Sequence, residues 1–180
     1  GVVCTASPVD ILRTIRGDKP ITELPRALSR CLSVAGDTLN PAASTALVEL
    51  TGAQIDSMRQ RDPSISVEDV SRISRRKGAA TFTLFALVAD ADLSPERRVC
   101  YEEFGYFVQL IDDAIDHESD TAAGINTLAT ILAPGSFSFT LWQQYHRVRA
   151  VFLAHYSAEK LQKLFAYINQ MMASVGIVIN

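Results

Sequence analysis

The sequence predicts an all-α fold, with seven helices forming a single helical bundle over residues 1–180. A small polar residue followed by proline recurs along the chain, and this pair is typical of a helix start. Apolar residues recur at spacings of three and four, whereas the alternation expected of strands is scarce. The chain is 48% apolar and 21% charged, which is enough apolar side chain to bury a core.

In the first third of the chain, the start signals are Ser7-Pro8 and Asn40-Pro41. Leucines at every fourth position over residues 24–32 predict a helix between them, and a looser apolar spacing over residues 47–58 extends the helix that begins near Pro41. A loop is predicted at residues 36–38.

In the central third, the polar cluster at residues 64–69 can cap a helix that runs through Lys77 towards Asp90. A loop is predicted before it, at residues 61–63. Ser94-Pro95 predicts the start of the next helix, which stays apolar over residues 104–115.

The last third predicts two amphipathic helices, at about residues 140–155 and 158–174, after a loop at residues 133–136. We expect the apolar residues of the second helix to form core or a dimer face rather than a cofactor site. They are Leu161, Leu164, Phe165, Ile168, Met171 and Met172.

Charge, hydropathy and cysteine content exclude several classes of protein. A net charge of −3, from 17 basic and 20 acidic residues, provides no broad basic surface for nucleic acid. The apolar runs end before the roughly 18 residues that cross a bilayer, and no signal peptide is evident, so we expect a soluble cytoplasmic protein. Three widely spaced cysteines favour reduced, buried thiols over a disulfide or zinc site.

Several aspartates lie in an otherwise apolar helical segment, where unpaired carboxylates are costly. Asp112 and Asp116 are one turn apart, Asp113 neighbours Asp116, Asp120 continues the stripe, and Gln109 lies one turn before. Such carboxylates repel one another unless a multivalent cation neutralises them, and an all-oxygen site favours Mg²⁺ that also binds a phosphate ester. The alternative is a solvated edge where the helix leaves the bundle.

Three successive cations, Arg75, Arg76 and Lys77, lie inside the preceding helix. They cannot share one face, and such a run is by default a solvated patch. The small residues that follow, at positions 78–81, would let another helix or a ligand approach closely. A lysine at that position can act as a point charge for phosphate.

These segments resemble the second half of a class I isoprenoid synthase of the trans-prenyltransferase (polyprenyl synthetase) family. Residues 108–116 resemble its second aspartate-rich motif, F-Q-x-x-D-D-x-x-D, with Val108 in place of Phe. Residues 77–82 are similar to the K-T-x-x-L-F helix, with Gly78 in place of Thr. Residues 52–56 resemble the G-Q-x-x-D element with the glutamine displaced by one position. The resemblance covers about residues 52–130.

The resemblance implies an isoprenoid synthase fold in which Mg²⁺ ions hold the diphosphate of an allylic prenyl substrate, whose ionisation gives an allylic cation. It implies that Asp112, Asp113 and Asp116 bind the metal. It implies catalytic roles for Lys77, Gln109 and Asp112, and it implies contacts between the substrate and Arg76, Lys77 and Gln109.

One part of the family pattern is missing, because no D-D-x-x-D motif precedes Gly52. Either the chain is truncated at its N-terminus or its first metal motif is degenerate. The leading interpretation is a Mg²⁺-dependent enzyme of prenyl diphosphates, which elongates chains or cyclises terpenes. The alternative is a non-catalytic prenyltransferase-like subunit that binds a partner through its helices. In either case we expect a homodimer or heterodimer that forms through helices. A third interpretation is a helical interaction protein with surface aspartates.

Overall fold

A computed structural model describes residues 41–90 and 92–177 of the chain. These residues contain seven α-helices, one short 3₁₀-helix and no strand, which confirms the all-α class. The helices are α1 (Pro41–Ser57), α2 (Val67–Ala89), α3 (Pro95–Ile115), α4 (His117–Ala123), α5 (Leu128–Ile131), α6 (Pro134–His155) and α7 (Ala158–Ser174), with the 3₁₀-helix Met58–Arg61 after α1. The signals predicted at Ser7-Pro8, residues 24–32 and residues 36–38 lie outside the described residues.

The chain divides into two compact units, residues 1–45 and 46–180. Of the first unit, the structure describes only residues 41–45, which form the first turns of α1. A single domain over residues 1–180 therefore stays a prediction. The second unit holds the helices described below.

The two central helices begin at the predicted capping residues. The hydroxyl of Ser66 accepts a hydrogen bond from the backbone N–H of Asp69 at the start of α2. The hydroxyl of Ser94 accepts one from Arg97 at the start of α3, and Pro95 occupies the first turn. Each cap satisfies an N–H that has no partner within the helix, so local sequence fixes both starts.

Two predictions in the last third differ from the structure. Helix α6 begins at Pro134 rather than near residue 140, so residues 134–136 form its first turn and not a loop. Proline suits this position because its missing N–H would have no partner there. The short helices α4 and α5 were not predicted at all.

Helix α3 is the central element of the second unit and packs against α2 on one side and α6 on the other. Its buried residues Phe107 and Leu110 join Val148 of α6 and Met172 of α7 in one apolar core. The apolar face predicted for α7 is part of this core: Leu161, Ile168 and Met172 are buried, and the other three residues are partly buried against it.

Helices α2 and α3 cross at two glycines. A methyl group added to Gly78 would lie less than 3.0 Å from the carbonyl oxygen of Gly105, and one added to Gly105 would lie equally close to that of Gly78. The two backbones are therefore in direct contact, which only glycine permits. The small residues after Lys77 serve this helix crossing, as one of the two sequence-based hypotheses expected.

In the part of the chain that the structure describes, no helix is both long and apolar enough to cross a membrane. Cys100, which lies in this part, is a buried free thiol whose Sγ is 3.4 Å from the carbonyl oxygen of Val151. Burial raises the pKa of this thiol, which keeps it protonated and unreactive.

Candidate functional site

The predicted aspartates lie in the last turn of α3, at its junction with α4, and on α4. We call Asp112, Asp113, Asp116 and Asp120 the acidic cluster. The backbone N–H of Asp116 donates to the carbonyl oxygen of Asp112 at 2.9 Å, and that of Asp120 donates to Asp116 at 2.8 Å. Helical register therefore continues through the junction of α3 and α4. It keeps Asp112, Asp116 and Asp120 one turn apart, the first two exposed and the third half-buried.

Asp113 differs from its neighbours because its side chain is buried, with only 4% exposed. The Nε2 amide of Gln109, one turn earlier on α3, donates to its Oδ1 at 2.7 Å. The hydroxyl of Ser74 on α2 donates to its Oδ2 at 3.3 Å. Asp113, two turns after Gly105, thus links α3 to Ser74 of α2, one turn before Gly78.

Burial, and then the negative charge of neighbouring carboxylates, raises the pKa values of two aspartates of the cluster. Burial raises the pKa of Asp113 to about 6, against hydrogen bonding from Gln109 and the charge of Lys77, and the charges of Asp112 and Asp120 add to the rise. Asp113, which is buried where α3 packs against α2, therefore has a pKa well above the ordinary value of an aspartate.

Lys77 supplies positive charge to the cluster from α2. Burial raises the pKa of Asp120, and the negative charges of Asp116 and Asp112 raise it further, while Lys77 opposes both effects. Lys77 acts on Asp113 in the same direction. Gln109 therefore contacts the acidic cluster directly, and Lys77 acts on it through its charge.

The carboxylates of the cluster are oxygen donors of the kind that Mg²⁺ prefers. Among the described residues, no three His, Cys, Asp or Glu side chains converge to hold a metal ion. Mg²⁺ commonly takes only one or two protein carboxylates, with water and phosphate as its other ligands. Asp112 and Asp116 provide two exposed carboxylates one turn apart, so the cluster fits Mg²⁺ held jointly with a phosphate group and does not fit a site built from protein ligands alone.

Arg76 is not brought to the acidic cluster. Its guanidinium forms an ion pair with Asp56 of α1 and lies 3.0 Å from where a methyl group on Gly52 would sit. Residues 52–56 and Arg76 therefore connect α1 to α2, away from the face of α2 that carries Ser74. The predicted contact between Arg76 and a substrate has no support in this arrangement.

Arg75 points to a second buried carboxylate, Glu103, which the sequence analysis did not identify. Arg75 Nη1 lies 3.0 Å from Glu103 Oε2, Arg147 Nε lies 2.8 Å from Oε1, and Gln144 Nε2 donates to Oε2 at 2.8 Å. Burial raises the pKa of Glu103, but Gln144, Arg147 and Arg75 together outweigh it, so the pKa falls below its usual value. This network ties α2, α3 and α6 together. Its sequence signal was a pair of adjacent glutamates, Glu102 and Glu103, at the start of an apolar stretch.

The segment after Asp120 is fixed by a backbone link that sequence analysis also missed. Gly124, with φ of 64°, ends α4, and the N–H of Ile125 donates to the carbonyl oxygen of Asp120 at 2.9 Å. Asn126 donates from its N–H to the carbonyl oxygen of Gln60 at 2.8 Å, and Gln60 Nε2 donates back to Asn126 at 3.0 Å. This reciprocal pair holds α4, and with it Asp120, against the 3₁₀-helix.

Comparisons with protein-family models, curated proteins and solved structures found no match for this chain. The class that fold and site define is an all-α protein with an acidic cluster and a lysine beside a glycine-mediated helix crossing. The resemblance to the trans-prenyltransferases stays a prediction based on the motifs quoted above.

Proposed function

We propose that this chain binds an allylic prenyl diphosphate together with Mg²⁺ at the acidic cluster and Lys77, as a protein of the class I isoprenoid synthase type. The observation that carries the proposal is the placement of four carboxylates on successive turns at the end of α3 and on α4. Burial raises the pKa of Asp113 and of Asp120, and the neighbouring carboxylates raise both further. A divalent cation would relieve the repulsion between these carboxylates. The motif resemblance supports the same ligand.

The residues of the cluster take different parts in this proposal. Asp112 and Asp116 hold Mg²⁺ from the exposed side, and Lys77 contributes a point charge to the diphosphate. Asp113 keeps Gln109 in one orientation through their 2.7 Å hydrogen bond, so we assign it a positioning part rather than an equal share in the metal. When bound, Mg²⁺ supplies the charge that stabilises a departing diphosphate.

The first test is calorimetric titration of the 180-residue chain with geranyl diphosphate in Mg²⁺ and in EDTA. We expect geranyl diphosphate to bind in Mg²⁺ and not in EDTA. Asp112→Asn should weaken this binding at least tenfold. Glu159→Gln, which removes an exposed carboxylate of α7, is the matched control and should bind like the wild type. Equal affinity in Mg²⁺ and EDTA would refute the metal-dependent site.

The second test separates a charge contact from a packing effect at Lys77. Lys77→Ala should lose affinity for geranyl diphosphate and keep its affinity for geraniol, because only the first ligand carries the charge that Lys77 meets. Lys160→Ala, on the exposed face of α7, is the control. Equal losses for both ligands would show that Lys77 acts through packing.

Turnover distinguishes an enzyme from a non-catalytic subunit. Product analysis after incubation with geranyl and isopentenyl diphosphates, with and without Mg²⁺, is the measurement. Residues 41–90 and 92–177 supply one acidic cluster of the kind proposed to bind Mg²⁺. A leaving diphosphate would therefore be stabilised from one side only. We therefore expect Mg²⁺-dependent binding with little product. Vigorous turnover would contradict this expectation, and absence of binding would favour a helical interaction protein with surface aspartates.

A further inference from the structure

The loop between the 3₁₀-helix and α2 carries an exposed serine, Ser64, which takes part in a tight turn. Its hydroxyl and its backbone N–H both donate to Oδ1 of Asp62, at 2.7 Å and 2.8 Å. These two bonds lower the pKa of Asp62, so its carboxylate is charged at neutral pH. The hydroxyl of Ser64 is therefore open to solvent, and the proton that it donates helps to close the turn.

The residues before Ser64 are basic at two positions. Arg61 lies three residues and Arg59 five residues before it, the apolar Ile65 follows it, and no other serine or threonine of the sequence has arginine at both positions. Both arginines are exposed, and the ion pair of Arg59 with Asp69 is long, at 3.4 Å. Both guanidinium groups can therefore pair with carboxylates of a partner, as in the acidic substrate groove of a protein kinase.

The same turn is linked to the acidic cluster. The backbone carbonyl oxygen of Asp62 accepts a hydrogen bond from Asn126 Nδ2 at 3.0 Å, and the carbonyl oxygen of Gln60 accepts one from the same amide at 2.9 Å. Asn126 follows α4, in which the carbonyl oxygen of Asp120 accepts from the N–H of Ile125. The position of Asp120 therefore depends on a turn that one serine hydroxyl helps to close.

We propose that Ser64 is a phosphorylation site for a protein kinase that recognises basic residues, and that its phosphate releases α4 from the 3₁₀-helix. In the transfer, Ser64 Oγ forms a bond to the γ-phosphorus of ATP, the bond between that phosphorus and the β–γ bridging oxygen breaks, and ADP leaves. The hydroxyl proton passes to the carboxylate base of the kinase. This proposal goes beyond diphosphate binding and does not depend on it.

Two changes open the turn once the phosphate is present. The Oγ atom of Ser64 loses the proton that it donates to Asp62, and a group with a charge of about −1.5 to −2 comes to lie beside that carboxylate. Like charges at this distance repel one another, while the exposed Arg59 and Arg61 attract the phosphate. The carbonyl oxygen of Asp62 then moves away from Asn126, and fewer hydrogen bonds hold the segment that follows α4.

The site is tested by incubating the full chain with ATP, Mg²⁺ and protein kinase B, a kinase that prefers arginines three and five residues before the serine. Mass spectrometry should place the phosphate on Ser64, and Arg61→Ala should lower the initial rate at least tenfold. Arg72→Ala, which removes an exposed arginine of α2 after Ser64, is the matched control and should leave the rate unchanged. Phosphate mainly on another residue, no phosphate at all, or equal rates for Arg61→Ala and the wild type overturns the proposal.

Hydrogen exchange followed by NMR tests the release of α4. The N–H of Asn126, which donates to the carbonyl oxygen of Gln60, should exchange at least tenfold faster in the purified phosphorylated chain than in the unmodified chain. The N–H of Tyr156, which donates to Phe152 at the end of α6, is the control for global stability and should not change. Ser64→Ala, which removes the hydroxyl without adding charge, should speed exchange at Asn126 less than the phosphate does. Unchanged or slower exchange at Asn126, or an equal rise at Tyr156, overturns the proposal.

Discussion

The glycine crossing of α2 and α3 makes a sharp prediction for Gly105→Ala. The added methyl group would lie less than 3.0 Å from the carbonyl oxygen of Gly78 and 3.1 Å from Cβ of Phe82. The first of these neighbours is backbone, so it cannot turn away as a flexible side chain would. The two helices must separate instead, by roughly 1 Å for ordinary contact distances.

The expected cost follows from two opposing effects. Overpacking of a well-filled interior costs about 1–3 kcal/mol, and a contact with backbone belongs at the upper end of that range or above it. Alanine is a better helix former than glycine by about 1 kcal/mol, which offsets part of the cost. We expect a net loss of about 2–3 kcal/mol in the free energy of unfolding, or a fall in Tm of about 5–10 °C for a chain of this size.

Urea denaturation followed by circular dichroism measures this loss. Gly135→Ala is the matched control, because a methyl group there would meet no atom within 4 Å and the residue lies in the first turn of α6. In the double variant, Gly105→Ala has already separated the helices. Gly78→Ala should therefore lower the free energy of unfolding by less than it does as a single change. If Gly105→Ala is as stable as Gly135→Ala, the backbones are not in contact and the reasoning is refuted.

Three further predictions concern buried polar groups. Because the folded pKa of Asp113, about 6, lies above its ordinary 3.8, the folded state binds the proton more tightly. Urea denaturation in EDTA should therefore show Asp113 lowering stability by up to about 3 kcal/mol between pH 4 and pH 7, and Asp113→Asn should make this slope clearly shallower. Glu103, whose pKa is lowered, contributes stability that is present above pH 4.5 and lost as pH falls through its folded pKa. Glu103→Gln should cost about 2 kcal/mol at pH 7, and the cost should shrink as the pH falls through the folded pKa of Glu103. A cost that does not change with pH would contradict this. The buried hydroxyl of Thr83 has no hydrogen-bond partner among residues 41–90 and 92–177, so Thr83→Val should raise stability by about 1 kcal/mol in thermal denaturation. A loss of stability would contradict this.

The long helices were predictable because their signals are local. Ser66 and Ser94 cap α2 and α3 through side chains that reach only three residues ahead. The short helices α4 and α5 have too few residues to show an apolar period. Their position depends instead on the link between Asn126 and Gln60, which are far apart in sequence. Contacts of that range leave no local signal, so the sequence analysis could not find them.

The candidate site was predictable to a similar extent. Spacing alone grouped Asp112, Asp116 and Asp120 on one stripe, and backbone hydrogen bonds keep that stripe through the helix junction. The partners of the three cations were not predictable, because they depend on which helix covers each face of α2. Arg76 forms an ion pair with Asp56 of α1, whereas the charge of Lys77 acts on Asp113 and Asp120 of the acidic cluster.

The difference between Asp113 and its neighbours follows from the same helix crossing. Adjacent residues on a helix point about 100° apart, so a helix packed against α3 can cover Asp113 or Asp112 but not both. The contact of Gly78 with Gly105 fixes how close α2 lies, and Ser74, one turn away from Gly78, then reaches Asp113. A motif of equal carboxylates in sequence thus becomes one buried carboxyl group that joins two helices and two exposed ones that face water. Any substitution that moves the glycine crossing should therefore alter the exposure of all three carboxyl groups.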